Sequence, residues 1–136
     1  MNRGILLIGF SEDEVRAVRE LFEFGVFEVP EYCGDWVLQE IVDKAETLSG
    51  SSHWHLRKFV IMHNLSNEEI KAVMGRIRPL IRGRGIFATT TPTSLEWKLE
   101  DLLRELMEED EYFRAMKWAR EEASKKRGPF LDIGKG

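Results

Sequence analysis

Two stretches of this chain echo each other closely, "FSEDEVRAV" from Phe10 to Val18 and "LSNEEIKAV" from Leu65 to Val73. In register, Ser11 meets Ser66, Glu14 meets Glu69, Val15 meets Ile70, Arg16 meets Lys71, and Ala17-Val18 meets Ala72-Val73. Each is preceded by an apolar run, Ile5-Leu6-Leu7-Ile8 and Phe59-Val60-Ile61-Met62. Apolar runs without alternation suit strands covered on both faces. A looser echo follows: "VPEYCGDWVLQEIV" sets Pro30 and Trp36 before an apolar-periodic run, and "TPTSLEWKLEDLL" does the same with Pro92 and Trp97.

Each half therefore reads strand, helix, strand, helix. The strands are expected near 5–9, 26–29, 59–63 and 86–89, and the helices near 12–24, 35–46, 67–77 and 95–107. Alternation of this kind predicts an α/β fold: duplicated βαβα units forming a small, mostly parallel four-stranded sheet with helices packed on it. The repeats span about 1–47 and 57–108. A further amphipathic helix is expected from 111 to 125, with Tyr112 or Phe113, Met116, Ala119 or Arg120, and Ala123 at helical spacing. The single domain then closes near 127, leaving 128–136 as a flexible tail. Ser11-x-x-Glu14, Ser66-x-x-Glu69 and Thr93-x-x-Glu96 all fit the capping box, in which a hydroxyl and a carboxylate satisfy orphan N–H groups at a helix start.

Composition narrows the function classes. The 136 residues carry a net charge of −4, which argues against a general nucleic-acid surface. A single cysteine, Cys33, excludes an internal disulfide framework and a multi-cysteine zinc site. No apolar run reaches membrane-spanning length, and the N-terminus lacks the shape of a signal peptide. A cytoplasmic protein without membrane or cofactor is the expectation.

Candidate sites follow from the fold. In an open parallel sheet, ligands bind outside the carboxyl ends of the strands. That rule gathers Gly9-Phe10-Ser11, Pro30 to Cys33, His63, Asn64, Thr89, Thr90 and Thr91 at one edge, with Ser94 nearby. His63 offers an imidazole that titrates near neutral pH. The threonines could steady an anion at a helix start, although the loop lacks the glycines of a phosphate cradle. Arg76, Arg78, Arg82 and Arg84 form the densest basic cluster and a candidate anion site. His53-x-His55 places two imidazoles on one side of an extended segment; a third ligand would have to come from elsewhere, His63 or Glu31, and no metal is assigned. Cys33 is read as an inert thiol, and Trp36 and Trp97 as core packing at equivalent helix starts.

Thr91, Pro92, Trp97, Leu99, Leu102, Leu103 and the segment from Glu109 to Tyr112 carry a resemblance to a bacterial family, the domain of unknown function 3783. Ser94 and Asp110 stand where that family usually shows Asn and His. The resemblance implies no activity. No catalytic motif is present, so the reading that results is a non-catalytic binding or protein-interaction module. Its C-terminal helix would meet a protein partner or a second copy. The alternative is a small-molecule or metal-assisted enzyme around His63 and Thr90/Thr91.

Overall fold

A computed structural model describes residues 1–135, with side chains through Ser124. It divides into two units, Met1–Arg104 and the remainder from Glu105. The first is a mixed α/β unit. Its elements are β1 (Gly4–Ile8), α1 (Glu12–Arg19), β2 (Gly25–Glu28), α2 (Leu38–Asp43), β3 (Lys58–His63), α3 (Asn67–Ile77), β4 (Gly85–Thr89) and the start of α4 (Leu99–Lys135).

The strands form one four-stranded sheet in the order β2-β1-β3-β4. β1 pairs β2 in parallel and β3 pairs β4 in parallel, while the two inner strands meet antiparallel with Leu6 opposite Ile61. The sheet is thus mostly parallel, but its polarity reverses at the centre. This corrects one expectation about the site. The carboxyl ends of β1 and β2 lie at one edge, and those of β3 and β4 at the opposite edge. Gly9 to Ser11 and Pro30 to Cys33 therefore do not share an edge with His63 and Thr89 to Thr91.

The apolar runs fill both faces because successive strand side chains point to opposite sides. On one face Ile5, Leu7, Val26, Val60 and Met62 pack with Val15 and Val18 of α1 and Val73 and Ile77 of α3. Leu6, Ile8, Phe59 and Ile61 must turn the other way, and they too are fully buried or nearly so. Leu38, Ile41 and Val42 of α2, and Leu99, Leu102 and Leu103 of α4, are buried as well. Each such Leu or Ile contributes about 2 kcal/mol by leaving water.

Several contacts occur once in each half. Ser11 with Glu14, and Ser66 with Glu69, form reciprocal capping boxes at the starts of α1 and α3. Lys58 at the start of β3 pairs with Glu14 at 3.3 Å, while Arg3, just before β1, pairs with Glu69. Past the strand ends, Val29 donates to the Leu7 carbonyl at 3.0 Å and Thr90 to the Met62 carbonyl at 2.9 Å.

Helix boundaries differ from expectation around the tryptophans. The segment from Glu31 to Cys33 is a 3-10 turn, and α2 begins only at Leu38. Ser94–Glu96 is likewise a 3-10 turn, and α4 begins at Leu99. Thr93 makes no capping hydrogen bond, so its predicted capping box is absent. Thr91 and Ser94 lock this turn instead. Each backbone N–H donates to the other's hydroxyl at 2.9 Å. Trp36 and Trp97 are not core residues; Trp36 is half-buried and Trp97 exposed. Their carbonyls accept from the N–H groups of Leu99 and Leu38, each at 2.9 Å, around a bridge between Val37 and Lys98.

The helix expected to end near 107 and the separate one at 111–125 are a single helix, α4. No glycine or proline falls between Leu99 and Arg127 to interrupt it. The tail assigned to 128–136 falls on residues whose side chains lie outside the described part, as does all of Gly136.

Candidate functional site

The edge formed by the carboxyl ends of β3 and β4 brings together part of the predicted site. His63 closes β3 and is only 8% exposed. Its Nδ1 lies 2.8 Å from the Thr90 hydroxyl, directly beyond β4. Hydroxyl and imidazole can each donate or accept, so this is a satisfied polar pair. Burial lowers the His63 pKa, the N-terminal ammonium lowers it further, and Asp43 opposes both. The ring is thereby held toward its neutral form near pH 7.

The corresponding places in the other half are apolar. Ile8 closes β1, and Val29 follows β2; both are fully buried. The strand ends therefore do not demand a polar pair, which gives His63 and Thr90 their interest.

Asn64 has a backbone duty. Its φ of 55° lies in the left-handed region, and its amide donates to the Asn2 carbonyl at 2.8 Å. Asparagine tolerates that conformation better than most residues. Thr89 is exposed, and Thr91 and Ser94 are occupied by the turn that they lock.

Two of the four arginines meet aromatic rings. Arg76 donates to the Leu21 carbonyl at 3.3 Å and lies over the Phe22 ring. Arg78 lies over Phe87, and Arg82 and Arg84 are exposed. The guanidiniums of Arg76 and Arg78 thus shield aromatic rings at the margin of the core.

At the opposite edge the connector before β3 is stitched down. Ser52 is fully buried; its hydroxyl donates to Glu28 at 2.9 Å, and its carbonyl accepts from Gly9 at 2.6 Å. Trp54 donates its indole N–H to Val29 at 2.8 Å. Nothing in the sequence singled out Ser52 from its neighbours, because a buried serine carries no pattern of its own. Glu14 sits nearby with Lys58. Burial pushes its carboxyl upward, but hydrogen bonds from Ser11 and the Lys58 ammonium outweigh that, and its pKa is lowered.

His53 and His55 part company. His53 is exposed, whereas His55 accepts from the Arg57 N–H at 2.9 Å and stands edge-on to Phe59. Among the described residues no three of His, Cys, Asp or Glu gather closely enough to hold a metal ion. Cys33 is fully buried, and burial, with Asp35 and Glu40, raises its thiol pKa to about 11. That is the opposite of a reactive cysteine. No described helix is long and apolar enough to cross a membrane.

Beyond Asp110, α4 is exposed almost all round through Ser124. Tyr112, Phe113 and Trp118 are 61%, 64% and 66% exposed, and Met116 is 39% exposed.

A mixed α/β domain without an assigned reaction is the class that this fold and edge define. The model of a family described as Domain of unknown function (DUF3783) matches residues 58–113, from β3 through β4 and into α4. The match covers less than half of the chain and leaves β1, α1, β2 and α2 outside it. Comparison with curated proteins and with solved structures returned no match.

Proposed function

We propose that this protein is a non-catalytic, cytoplasmic protein-interaction module. The single observation that carries the reading is the exposure of Tyr112, Phe113, Met116 and Trp118 on one stretch of α4. Large apolar side chains displayed together mark interaction surfaces more often than solvated faces. Helices in proteins also draw most of their stability from packing an amphipathic face, so an apolar face on α4 calls for a partner surface. In this reading the two β-α-β halves are copies of one unit. The recurring capping boxes and the crossed pairs Lys58–Glu14 and Arg3–Glu69 support duplication.

The test replaces Phe113 and Met116 by serine. Light scattering reports self-association, and affinity capture from an extract of the source cells reports other partners. Loss of either on substitution supports the reading. A strictly monomeric chain that captures the same polypeptides with and without the serines overturns it.

A second reading places a small-molecule site, catalytic or not, around His63, Asn64, Thr89, Thr90, Thr91 and Ser94. It is favoured by one observation, the polar His63–Thr90 pair where the other half has Ile8 and Val29. Titration with inorganic phosphate and with zinc, followed by the NMR signals of the His63 ring, tests it. Signals that stay unmoved by both count against it.

A further inference from the structure

The apolar face of α4 carries its own register. Leu106, Glu109, Phe113, Met116, Arg120 and Ala123 follow one another at the alternating three- and four-residue steps of a coiled-coil seam. Two of the six are charged, and they have opposite signs. Glu109, Phe113, Met116, Arg120 and Ala123 are exposed, and Leu106 is half-buried.

The orientation of a paired helix decides what those charges meet. Were two such helices parallel and in register, Glu109 would face Glu109 and Arg120 would face Arg120. Like charges set against each other at an interface are costly. Antiparallel pairing with Phe113 opposite Met116 brings Glu109 opposite Arg120 on both sides of the centre. The same register sets large Leu106 against small Ala123. Every layer is then complementary, by charge, by size or by apolar character.

We propose that a second copy of this chain covers this face, with the two α4 helices antiparallel and Phe113 of each against Met116 of the other. The proposal rests on the interaction reading above and narrows it to one partner and one register. Two apolar layers at the centre supply association, and the flanking Glu109–Arg120 layers select orientation, the use best attested for polar residues in such seams.

Sedimentation of the full chain across the micromolar to sub-millimolar range tests this. The wild type is expected to dimerise. Glu109→Arg alone, or Arg120→Glu alone, sets like charges in both flanking layers, so each should weaken the dimer by about tenfold or more. The double variant Glu109→Arg/Arg120→Glu restores opposite charges only in the antiparallel arrangement, and its dimer should recover. That recovery also shows that the single variants did not fail through misfolding, since the double variant contains both changes. A chain with Leu106→Cys and Ala123→Cys should oxidise to a covalent dimer, whereas either cysteine alone should not.

A wild-type monomer throughout that range overturns the proposal. So does a dimer indifferent to the single reversals, or one cross-linked through Ala123→Cys alone. If Phe113→Ser and Met116→Ser abolish association while the charge reversals leave it unchanged, antiparallel self-pairing fails and the interaction reading stands.

Discussion

The imidazole of His63 and the hydroxyl of Thr90 sit 2.8 Å apart across the ends of two parallel strands. Ile8 and Val29 occupy the matching ends in the other half of the sheet and are fully buried. One backbone arrangement thus accommodates two chemistries, and the difference can be turned into measurements.

Thr90→Val alone leaves Nδ1 of the buried His63 without its Thr90 partner. Urea unfolding should show a loss of about 1–3 kcal/mol. The double change His63→Ile/Thr90→Val reproduces the apolar pair, and it should fall within about 1 kcal/mol of wild type. A double variant less stable than the single one would mean that the pair is not interchangeable with its apolar counterpart.

The pH dependence of stability has a definite sign. The folded-state pKa of His63 is lowered from 6.5, chiefly by burial and then by the N-terminal ammonium. The unfolded chain therefore binds more protons in the window just below 6.5, and stability falls as pH drops through it. The contribution is fully present above 6.5, and its decline ends once the folded-state pKa is passed. His55, also lowered by burial and by Arg57, adds a contribution of the same sign. Urea midpoints measured across this window should slope less in His63→Ile/Thr90→Val than in wild type. Equal slopes would remove His63 from the account.

Gly9 and Asn64 each follow an inner strand with φ of 84° and 55°. A Cβ on Gly9 would lie 2.0 Å from the Arg57 carbonyl, so Gly9→Ala meets both strain and collision. It should cost more than the roughly 1–3 kcal/mol typical of backbone strain alone. Asn64→Gly should be nearly neutral, and Asn64→Val should cost about 1–2 kcal/mol. Thermal unfolding of the three variants gives the order directly.

Cys33 should resist thiol reagents in the native protein. Its side chain is fully buried, and its pKa is raised to about 11. Alkylation at mild alkaline pH should be negligible until denaturant is added. Rapid native labelling would show that the turn Glu31–Cys33 opens readily.

Much of the fold was legible because apolar runs and capping boxes are local signals. Ile5 to Ile8 and Phe59 to Met62 announced the inner strands, and Ser66 with Glu69 announced α3 at its observed start. The polarity of β3 relative to β1 was not legible. Strand direction is fixed by how the long connector returns, and residues such as Ser52 that anchor it show no periodicity. The candidate site was legible in part for the same reason. His63 and Thr90 could be matched from strand ends, while the edge shared with Gly9 and Cys33 followed from a single-polarity sheet that does not exist. The Thr93 capping box failed because Thr91 and Ser94 satisfy each other first, and α4 is deferred to Leu99.

The reversal of polarity between β1 and β3 also sets the order of events when the chain folds. Each parallel pair can form from residues close in sequence, whereas Leu6 and Ile61 must find each other across a long intervening loop. Closing that loop costs entropy before any inner-strand contact repays it. In the interval β1 and β3 each present an unpaired, largely apolar edge, the kind that joins strand to strand between different molecules. Refolding yield should therefore fall as chain concentration rises, even where the folded protein remains fully in solution.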